Sequence, residues 1–233
     1  MNVKQIVKLN NQFYQSVSKD FSKSRQKPWE GWGRAVEKMQ EYFEVENNNS
    51  NKILNVLDIG CGNGRFFSYI ENKLPNVSYT GLDINNDLLN DAKKICTNEK
   101  NNSAKFLKKD VIKDIGKIKS RFDVVVAFGI THHIPDKDFR IKWFDSIIYL
   151  ADKKSDKEKV DKSIVVVSFW DFEKKAGDYL VSWDNKIDTP RYCHKYSDSE
   201  IKTIENQFKD RDFQLLDKYE ADNKNLYLIF GRI

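Results

Sequence analysis

The stretch VLDIGCGNGRF, residues 56–66, decides the fold of this 233-residue chain. An apolar run ending in an acidic residue predicts a buried strand, and Gly60, Gly62 and Gly64 follow it before a helical pattern begins. Glycine tolerates positive φ and lets the backbone approach a ligand closely. A turn of this kind, at the carboxyl edge of a parallel sheet, is where open α/β folds bind ligands. The stretch therefore predicts an α/β protein with a ligand site at this turn.

A second carboxylate completes the pattern. Asp83 closes the run YTGLD, nineteen residues after Gly64, and a carboxylate there can accept hydrogen bonds from both ribose hydroxyls of an adenosine cofactor. The loop reads G-x-G-x-G, whereas dinucleotide-binding loops read G-x-G-x-x-G. Asp58 ahead of the loop suits an ammonium group better than a phosphate. These residues predict S-adenosylmethionine, which carries an amine and a positive sulfonium; the alternative is a structural glycine turn in an unrelated α/β protein.

The remaining chain alternates apolar runs with helical patterns, which is typical of a doubly wound sheet. Seven strands are expected, at 53–59, 77–83, 104–109, 122–128, 163–170, 213–220 and 226–232. Helices are expected at 2–18, 29–45, 64–73, 86–97, 137–150 and 197–208, with a turn at 112–118. Only residues 221–225 separate the last two strands, which predicts a hairpin and one antiparallel strand. We expect a seven-stranded Rossmann-like α/β sheet with a reversed last strand, residues 1–46 forming a helical lid and 47–233 the main domain.

The net charge of +5 is concentrated at one end of the chain. Residues 1–34 hold seven basic and two acidic side chains, so the rest is neutral overall. This basic front includes FSKSRQKPWEGW (21–32) and indicates either contact with a polyanion or a solvated helix. The run 151–162 is also highly charged, but its signs alternate, which predicts a solvated loop.

Targeting, membrane and metal signals are weak or missing from the sequence. The first residues contain no apolar stretch typical of a signal peptide, and no run reaches the length of a membrane span. Cys61, Cys96 and Cys193 lie far apart and form no CxxC pair, so neither a zinc site nor a disulfide framework is indicated. We expect a cytoplasmic protein that binds no metal.

Residues 53–233 resemble a class I S-adenosylmethionine-dependent methyltransferase, on the glycine loop, Asp83 and the final hairpin. The resemblance implies that Asp110 and Val111, after the third strand, flank the adenine. The residues expected at the cofactor are Asp58, Gly60, Cys61, Gly62, Asn63, Gly64, Asp83, Ile84, Asp110, Val111 and Gly129.

Four segments carry a narrower resemblance, to the tRNA wobble-uridine carboxymethyl methyltransferases. They are KDFSKSRQKPWEGW (19–32), FGITHHIPDKDFR (128–140), LVSW (180–183) and RYCHKYSDSEI (191–201). This family methylates the carboxylate of 5-carboxymethyluridine at the wobble position, which implies tRNA as a partner. In eukaryotic relatives a small zinc-binding activator subunit stabilises the enzyme, so the resemblance also implies such a partner.

The chain departs from the family pattern at several positions. Gly31 and Ser182 stand where relatives have prolines, Cys193 replaces an aromatic residue, and the charged run 151–162 replaces a turn rich in proline and glycine. These changes leave the cofactor residues untouched. They leave the methyl acceptor open, and two alternatives remain: a small-molecule O- or N-methyltransferase, and a non-catalytic subunit that binds the cofactor or tRNA.

A carboxylate acceptor determines which residue types the site needs. A carboxylate is already ionised at neutral pH, so it needs cations and hydrogen-bond donors and no general base. We expect Arg25, Arg191 and His194 to be the catalytic residues, because a guanidinium pairs well with a carboxylate. The residues expected to bind the substrate are Lys27, Trp29, His132, His133 and Tyr192.

Each of these candidates also has a structural explanation. Trp29 and Trp32 suit core anchors of the N-terminal helices, and the two histidines suit the floor of the cofactor pocket. Arg191 and His194 suit a helix cap or a surface ion pair.

Overall fold

The computed structural model describes residues 1–44, 53–74, 76–95, 103–152, 162–183 and 189–233. The strands in these ranges are β1 (Leu54–Ile59), β2 (Val77–Asp83), β3 (Ser103–Lys108), β4 (Val124–Ala127), β5 (Ile164–Trp170), β6 (Gly177–Val181), β7 (Arg191–Lys195), β8 (Phe213–Ala221) and β9 (Asn225–Arg232). The α-helices are α1 (Val3–Ser24), α2 (Gly31–Phe43), α3 (Arg65–Ile70), α4 (Asn86–Ile95), α5 (Lys137–Ala151) and α6 (Asp198–Lys209). Two 3₁₀ turns lie at Ile115–Lys117 and Thr131–His133.

Seven strands form one sheet, in the order β3-β2-β1-β4-β5-β9-β8. Neighbouring strands are parallel from β3 to β5, and β9 runs antiparallel to both β5 and β8. The expected seven-stranded α/β sheet with a reversed last strand is therefore confirmed. Strand order reverses between β1 and β4, and ligands of such sheets bind at the carboxyl ends beside this reversal.

Both faces of the sheet are covered, which explains why its central strands are apolar without alternation. All four residues of β4 are buried. Leu57 and Val125 face the layer that contains α5 and α6. Val56 and Val124 face the opposite layer, which contains α2, α3 and α4.

The two N-terminal helices are part of this packing. α1 starts with a capping box between Asn2 and Gln5, continues to Ser24 where we expected an end at residue 18, and packs against α4 and β7. α2 buries Trp32 in the core beside the sheet, so the core-anchor explanation of this tryptophan is the one the structure supports. The domain boundary at residues 46 and 47 lies outside the described residues and stays a prediction.

A small second sheet was not expected from the sequence. β6 and β7 pair antiparallel, with Asp178 opposite His194 and Leu180 opposite Tyr192. Each strand has only five residues, and β6 is half exposed along its length, so its hydrophobic pattern is weak. Most of the charged run 151–162 and Cys96 lie outside the described residues. No helix in the described part of the chain is both long and apolar enough to cross a membrane.

The start of α2 is capped by a residue near the other end of the chain. Asp222, in the turn between β8 and β9, accepts hydrogen bonds from the backbone N–H groups of Glu30 (2.7 Å) and Gly31 (3.3 Å). Tyr219 donates to the Gly31 carbonyl at 2.6 Å. A Cβ on residue 31 would lie 2.5 Å from the ring of Tyr227, which explains the glycine at this position.

Replacing Asp222 with alanine should lower the free energy of unfolding by about 2 kcal/mol, because α2 loses its N-terminal acceptor and residue 222 is left with a positive φ that alanine disfavours. Urea denaturation measures this change. Glu220→Ala, which removes an exposed carboxylate from the adjacent strand, is the matched control and should change stability by less than about 0.5 kcal/mol. Equal losses in the two variants would contradict the capping role.

Candidate cofactor and acceptor site

A pocket opens at the carboxyl ends of β1 and β4 and encloses about 1000 Å³, counting its mouth. Its walls come from the loop after β1, the end of β2, the loop after β4, and α1 with the segment that follows it. The predicted cofactor residues that line this pocket are Asp58, Gly60, Cys61, Gly62, Asn63, Asp83, Ile84, Asp110, Val111 and Gly129. Gly64 is not among the lining residues.

Two glycines of the loop have different structural tasks. Gly62 has φ +55° and donates its N–H to the Asp83 carboxylate at 3.0 Å, which ties the loop to the end of β2. Gly64 has φ +77° at the start of α3, and a Cβ there would lie 2.8 Å from the Cβ of Ala92. The first glycine shapes the pocket, and the second allows α3 and α4 to pack closely.

Asp58 is a carboxylate buried at the base of the pocket. It is 2% exposed and accepts a hydrogen bond from the hydroxyl of Tyr79. Burial raises the pKa of Asp58 to about 7, against the opposing effect of the Tyr79 hydrogen bond. An ammonium group beside this carboxylate would restore its charge, so the residue fits the amino end of S-adenosylmethionine.

Cofactor affinity should therefore rise with pH in a range where neither ligand ionisation nor unfolding is expected. An ammonium ligand binds the ionised form of Asp58, which becomes the major form as the pH rises through about 7. Between pH 6 and pH 8 we expect the affinity for S-adenosylhomocysteine to increase about tenfold. Titration calorimetry measures this change, and Asp58→Asn should bind weakly with no such slope. A flat profile for the unmodified protein would contradict the role of Asp58.

Asp83 and Asp110 make different use of their carboxylates. Asp83 accepts the N–H groups of Gly62 and Asn85, and burial raises its pKa. It stands at the end of β2, where a ribose can be held. Asp110 instead accepts the backbone N–H groups of Ile112 and Lys113, each at 3.2 Å, so its side chain mainly stabilises its own turn.

The segment FSKSRQKPWEGW forms one wall of the pocket. The Asn63 side chain donates to the Arg25 carbonyl at 3.1 Å, and Arg65 donates to the Lys27 carbonyl at 2.8 Å. The Arg65 guanidinium also lies 5.3 Å from the ring centre of Trp29, which packs against Gly129. Lys27 contributes its carbonyl here while its side chain is exposed, and it is not among the lining residues.

Arg191 is a buried cation behind this pocket. It is 7% exposed, and its guanidinium lies 5.0 Å from the ring centre of Phe13 and 5.4 Å from that of Trp170. Its Nε atom is buried and has no hydrogen-bond partner among the residues that the structure describes. Burial, together with the nearby charge of Arg191, lowers the pKa of His133 in the pocket wall to about 3.

Arg25 is a second cation in the same region. It ends α1, lies over the ring of Phe21 at 5.4 Å, and has a pKa lowered by burial and by the nearby charge of Arg191. Within the ranges that the structure describes, no ion pair involves either arginine. Two cations that repel each other and have no carboxylate partner in the described ranges form a site suited to an anion.

His194 and Tyr192 face the opposite side of β7 from Arg191. The His194 ring nitrogens lie 2.6 Å from an Asp178 oxygen and 3.1 Å from a Glu200 oxygen. The Tyr192 hydroxyl donates to the same Asp178 at 2.7 Å. These side chains attach β7 to β6 and α6, and neither lines the pocket. Their hydrogen bonds therefore give both side chains a structural task at a distance from the pocket wall.

Two histidines and a cysteine come together beside Arg191. The candidate ligand atoms of His132, His133 and Cys193 lie within 4.8 Å of one another, and all three residues are buried. Both ring nitrogens of His133 are already hydrogen-bonded, and the adjacent guanidinium of Arg191 disfavours a cation. This group of side chains is thus a poor metal site.

Sequence reasoning missed several wall residues, including Asn10, Tyr14 and Arg65. The Asn10 side chain forms two hydrogen bonds with the backbone of Tyr192: it accepts from the N–H at 2.7 Å and donates to the carbonyl oxygen at 3.2 Å. One signal was present: Asn10 and Tyr14 are polar residues at helical spacing on the apolar face of α1.

Comparison with known proteins agrees with this geometry. Residues 57–147 match the family model of the methyltransferase domain. A protein of Encephalitozoon cuniculi (strain GB-M1), named as a methyltransferase, is 25% identical over 95% of this chain and 94% of its own length. A malonyl-[acyl-carrier protein] O-methyltransferase of Ilyobacter polytropus is 27% identical over 57% of this chain and 49% of its own length.

Solved structures share the fold at low sequence identity. Magnesium protoporphyrin IX methyltransferase from Synechocystis PCC 6803, with bound S-adenosylhomocysteine, has a TM-score of 0.66 and 14% identity, covering 97% of this chain and 99% of its own. An amino pentose methyltransferase from Micromonospora echinaspora has a TM-score of 0.61 and 13% identity, covering 93% and 97%.

The matched domain, the sheet and the glycine loop with its two carboxylates define the chain as a class I S-adenosylmethionine-dependent methyltransferase. The expected enzyme class and cofactor are confirmed, which argues against the non-catalytic alternative.

Proposed function

We propose that this enzyme methylates a carboxylate, and that the carboxylate belongs to 5-carboxymethyluridine at the wobble position of a tRNA. The observation that supports an anionic acceptor is the pair of arginines, Arg25 and Arg191, which have no carboxylate partner among the described residues. Arg191 lies close enough to influence the pKa values of Tyr14 and His133, two residues of the cofactor pocket. This proximity supports an anion site beside the cofactor pocket.

The residues present suit this chemistry. Asp58, Asp83 and the glycine loop would hold S-adenosylmethionine, which would supply a methyl group on a positively charged sulfur. The carboxylate oxygen would bond to the methyl carbon, and the sulfur would keep the electron pair of the broken S–C bond. Arg191 and Arg25 hold the carboxylate, and no proton has to move because the acceptor is already ionised. The product ester is neutral, so it loses its attraction to both arginines and can leave.

Support for a tRNA acceptor comes from the four matched segments, the basic front and the aromatic residues near Arg25. Phe21 lies under the Arg25 guanidinium, and its ring centre is 5.9 Å from that of Trp183. Trp170 contacts Arg191, and its ring centre lies 4.5 Å from that of Phe172. Aromatic faces beside cations are a common means of binding an unstacked base. Trp170 and Trp183 are better placed for this task than Tyr192.

Nucleoside mass spectrometry tests the proposal directly. The enzyme is incubated with S-adenosylmethionine and tRNA that contains 5-carboxymethyluridine, and the methyl ester is measured before and after mild alkaline hydrolysis. We expect an ester that alkali removes. Matched tRNA with unmodified uridine should gain no methyl group. Failure to form the ester in a preparation that binds the cofactor would overturn the tRNA assignment.

A small carboxylic acid is the second candidate acceptor, because one relative is named as an O-methyltransferase of a malonyl group. Salt dependence separates the two candidates. Methylation of tRNA should weaken steeply between 50 and 200 mM salt, by about a hundredfold or more if several phosphates are contacted. Methylation of a free acid should change little over the same range.

The activator subunit and the cytoplasmic location expected from the sequence stay predictions. An activator subunit should co-purify with the enzyme from its native cells and increase its turnover. A cytoplasmic location can be checked by fractionation of the same cells.

A further inference from the structure

Tyr14 and His133 form a hydrogen-bonded pair at the wall of the cofactor pocket. The Tyr14 hydroxyl lies 2.7 Å from His133 Nε2, and His133 Nδ1 lies 2.8 Å from the Tyr192 carbonyl oxygen. His133 is 2% exposed and Tyr14 half-buried, and both line the pocket. The pair links α1 to the loop after β4 and to β7.

The direction of these hydrogen bonds follows from the acceptor at one end. Nδ1 has two neighbours: the Tyr192 carbonyl oxygen, which can only accept, and the Asn10 side-chain nitrogen at 3.2 Å, which can only donate. The carbonyl is the shorter contact, and the Asn10 nitrogen has that same carbonyl as its own acceptor, so we assign a proton to His133 Nδ1. Burial lowers the pKa of His133 to about 3, so the ring is neutral and Nε2 has no proton. Nε2 therefore accepts from the Tyr14 hydroxyl, whose own pKa burial raises to about 12. Because its single proton is used, the Tyr14 oxygen offers only lone pairs to a ligand.

Tyr14 also stands between the two halves of the site. Its ring centre lies 5.5 Å from that of Phe21, the ring beneath the Arg25 guanidinium on the acceptor side. Its backbone carbonyl accepts a hydrogen bond from the Asn85 side chain at 2.9 Å, which attaches this turn of α1 beside Asp83. Tyr14 thus lies in the pocket wall between the residues expected at the ribose and the residues expected at the acceptor.

We propose that Tyr14 is a positioning residue for the methyl donor: its hydroxyl oxygen, held by His133, accepts the polarised C–H groups of the sulfonium methyl and directs that methyl toward Arg191. An oxygen that can only accept favours a positive ligand, and S-adenosylhomocysteine lacks the positive sulfur. Tyr14 therefore favours the methyl donor over the demethylated product. This inference depends on the cofactor and holds for any acceptor.

Titration calorimetry with both cofactor forms tests the proposal. In Tyr14→Phe, the affinity for S-adenosylmethionine should fall about threefold to tenfold, which corresponds to one hydrogen bond, and that for S-adenosylhomocysteine should change less than about twofold. Tyr149→Phe, which removes a hydroxyl from the surface of α5, should leave both affinities unchanged. The readout is the ratio of the two affinities. Unfolded protein in the sample affects both affinities equally, so it does not change this ratio.

A second variant tests the role of His133. His133→Ala frees the Tyr14 hydroxyl to rotate and donate, so the preference for S-adenosylmethionine should fall in the same direction as in Tyr14→Phe. The double variant should lose no more of this preference than Tyr14→Phe alone. Equal losses for the two cofactor forms would place Tyr14 against the amino-acid or ribose part and overturn the proposal, as would an unchanged ratio in Tyr14→Phe.

Discussion

Arg191→Met should remove methyl transfer and at the same time raise the stability of the protein. Truncating a desolvated charge that binds a carboxylate should lower kcat/KM roughly a hundredfold or more. Cofactor affinity should stay within about twofold, because Arg191 does not line the cofactor pocket. Meanwhile the free energy of unfolding should rise by about 1 kcal/mol, because methionine fills the space between Phe13 and Trp170 without an unpaired charge.

Three measurements on one preparation check this expectation: ester formation, calorimetry with S-adenosylhomocysteine, and urea denaturation. Arg211→Met, at an exposed position, is the control and should leave all three unchanged. Arg191→Lys should recover only part of the activity, since an ammonium lacks the two parallel donors of a guanidinium. A stable Arg191→Met enzyme with unchanged turnover would show that the acceptor's charge is held elsewhere.

Gly64→Ala should destabilise the fold and weaken cofactor binding together. The new Cβ would lie 2.8 Å from that of Ala92 in a residue with φ +77°. Backbone strain of about 1–2 kcal/mol and overpacking of about 1–3 kcal/mol together predict a loss of about 3 kcal/mol in the free energy of unfolding. The shift of α3 away from α4 should also distort the preceding loop, which holds the cofactor.

Gly62→Ala is the matched control for this variant. Residue 62 also has a positive φ, at +55°, but no atom lies within 4 Å of its added Cβ. Urea denaturation of Gly62→Ala should therefore show a free energy of unfolding lower by about 1–2 kcal/mol, from backbone strain alone. If the two variants lost the same stability, the close approach of α3 and α4 would not be the reason for the glycine at position 64.

The cofactor half of the site was predictable because its signals are local. A strand, a glycine turn and a helix follow one another within VLDIGCGNGRF, and Asp83 ends the next strand, so spacing alone brings these groups together. Only Gly64 among the expected cofactor residues lies outside the pocket wall, and its conformation explains why a glycine is still required there.

The acceptor half was less predictable because it depends on contacts between distant segments. Side chains alternate between the two faces of β7, and this alternation decides whether Arg191 or Tyr192 faces the site. The strand is stabilised by pairing with β6, so the sequence of β7 alone does not reveal it. Tyr14 lies 119 residues before its partner His133. No local pattern reveals that a buried arginine has no carboxylate partner in the described part of the chain, since that depends on every element packed around it.

The cap that Asp222 places on α2 has a consequence for how the enzyme is made. Residues 192 positions apart in the chain are joined there, and the segment so anchored carries Trp29 into the pocket wall. A ribosome therefore exposes the first 31 residues long before it synthesises their anchor. The nascent protein should be unable to retain its cofactor until the β8–β9 hairpin has emerged, so translation stalled before residue 222 should yield chains that bind S-adenosylhomocysteine poorly and are sensitive to protease near Trp29.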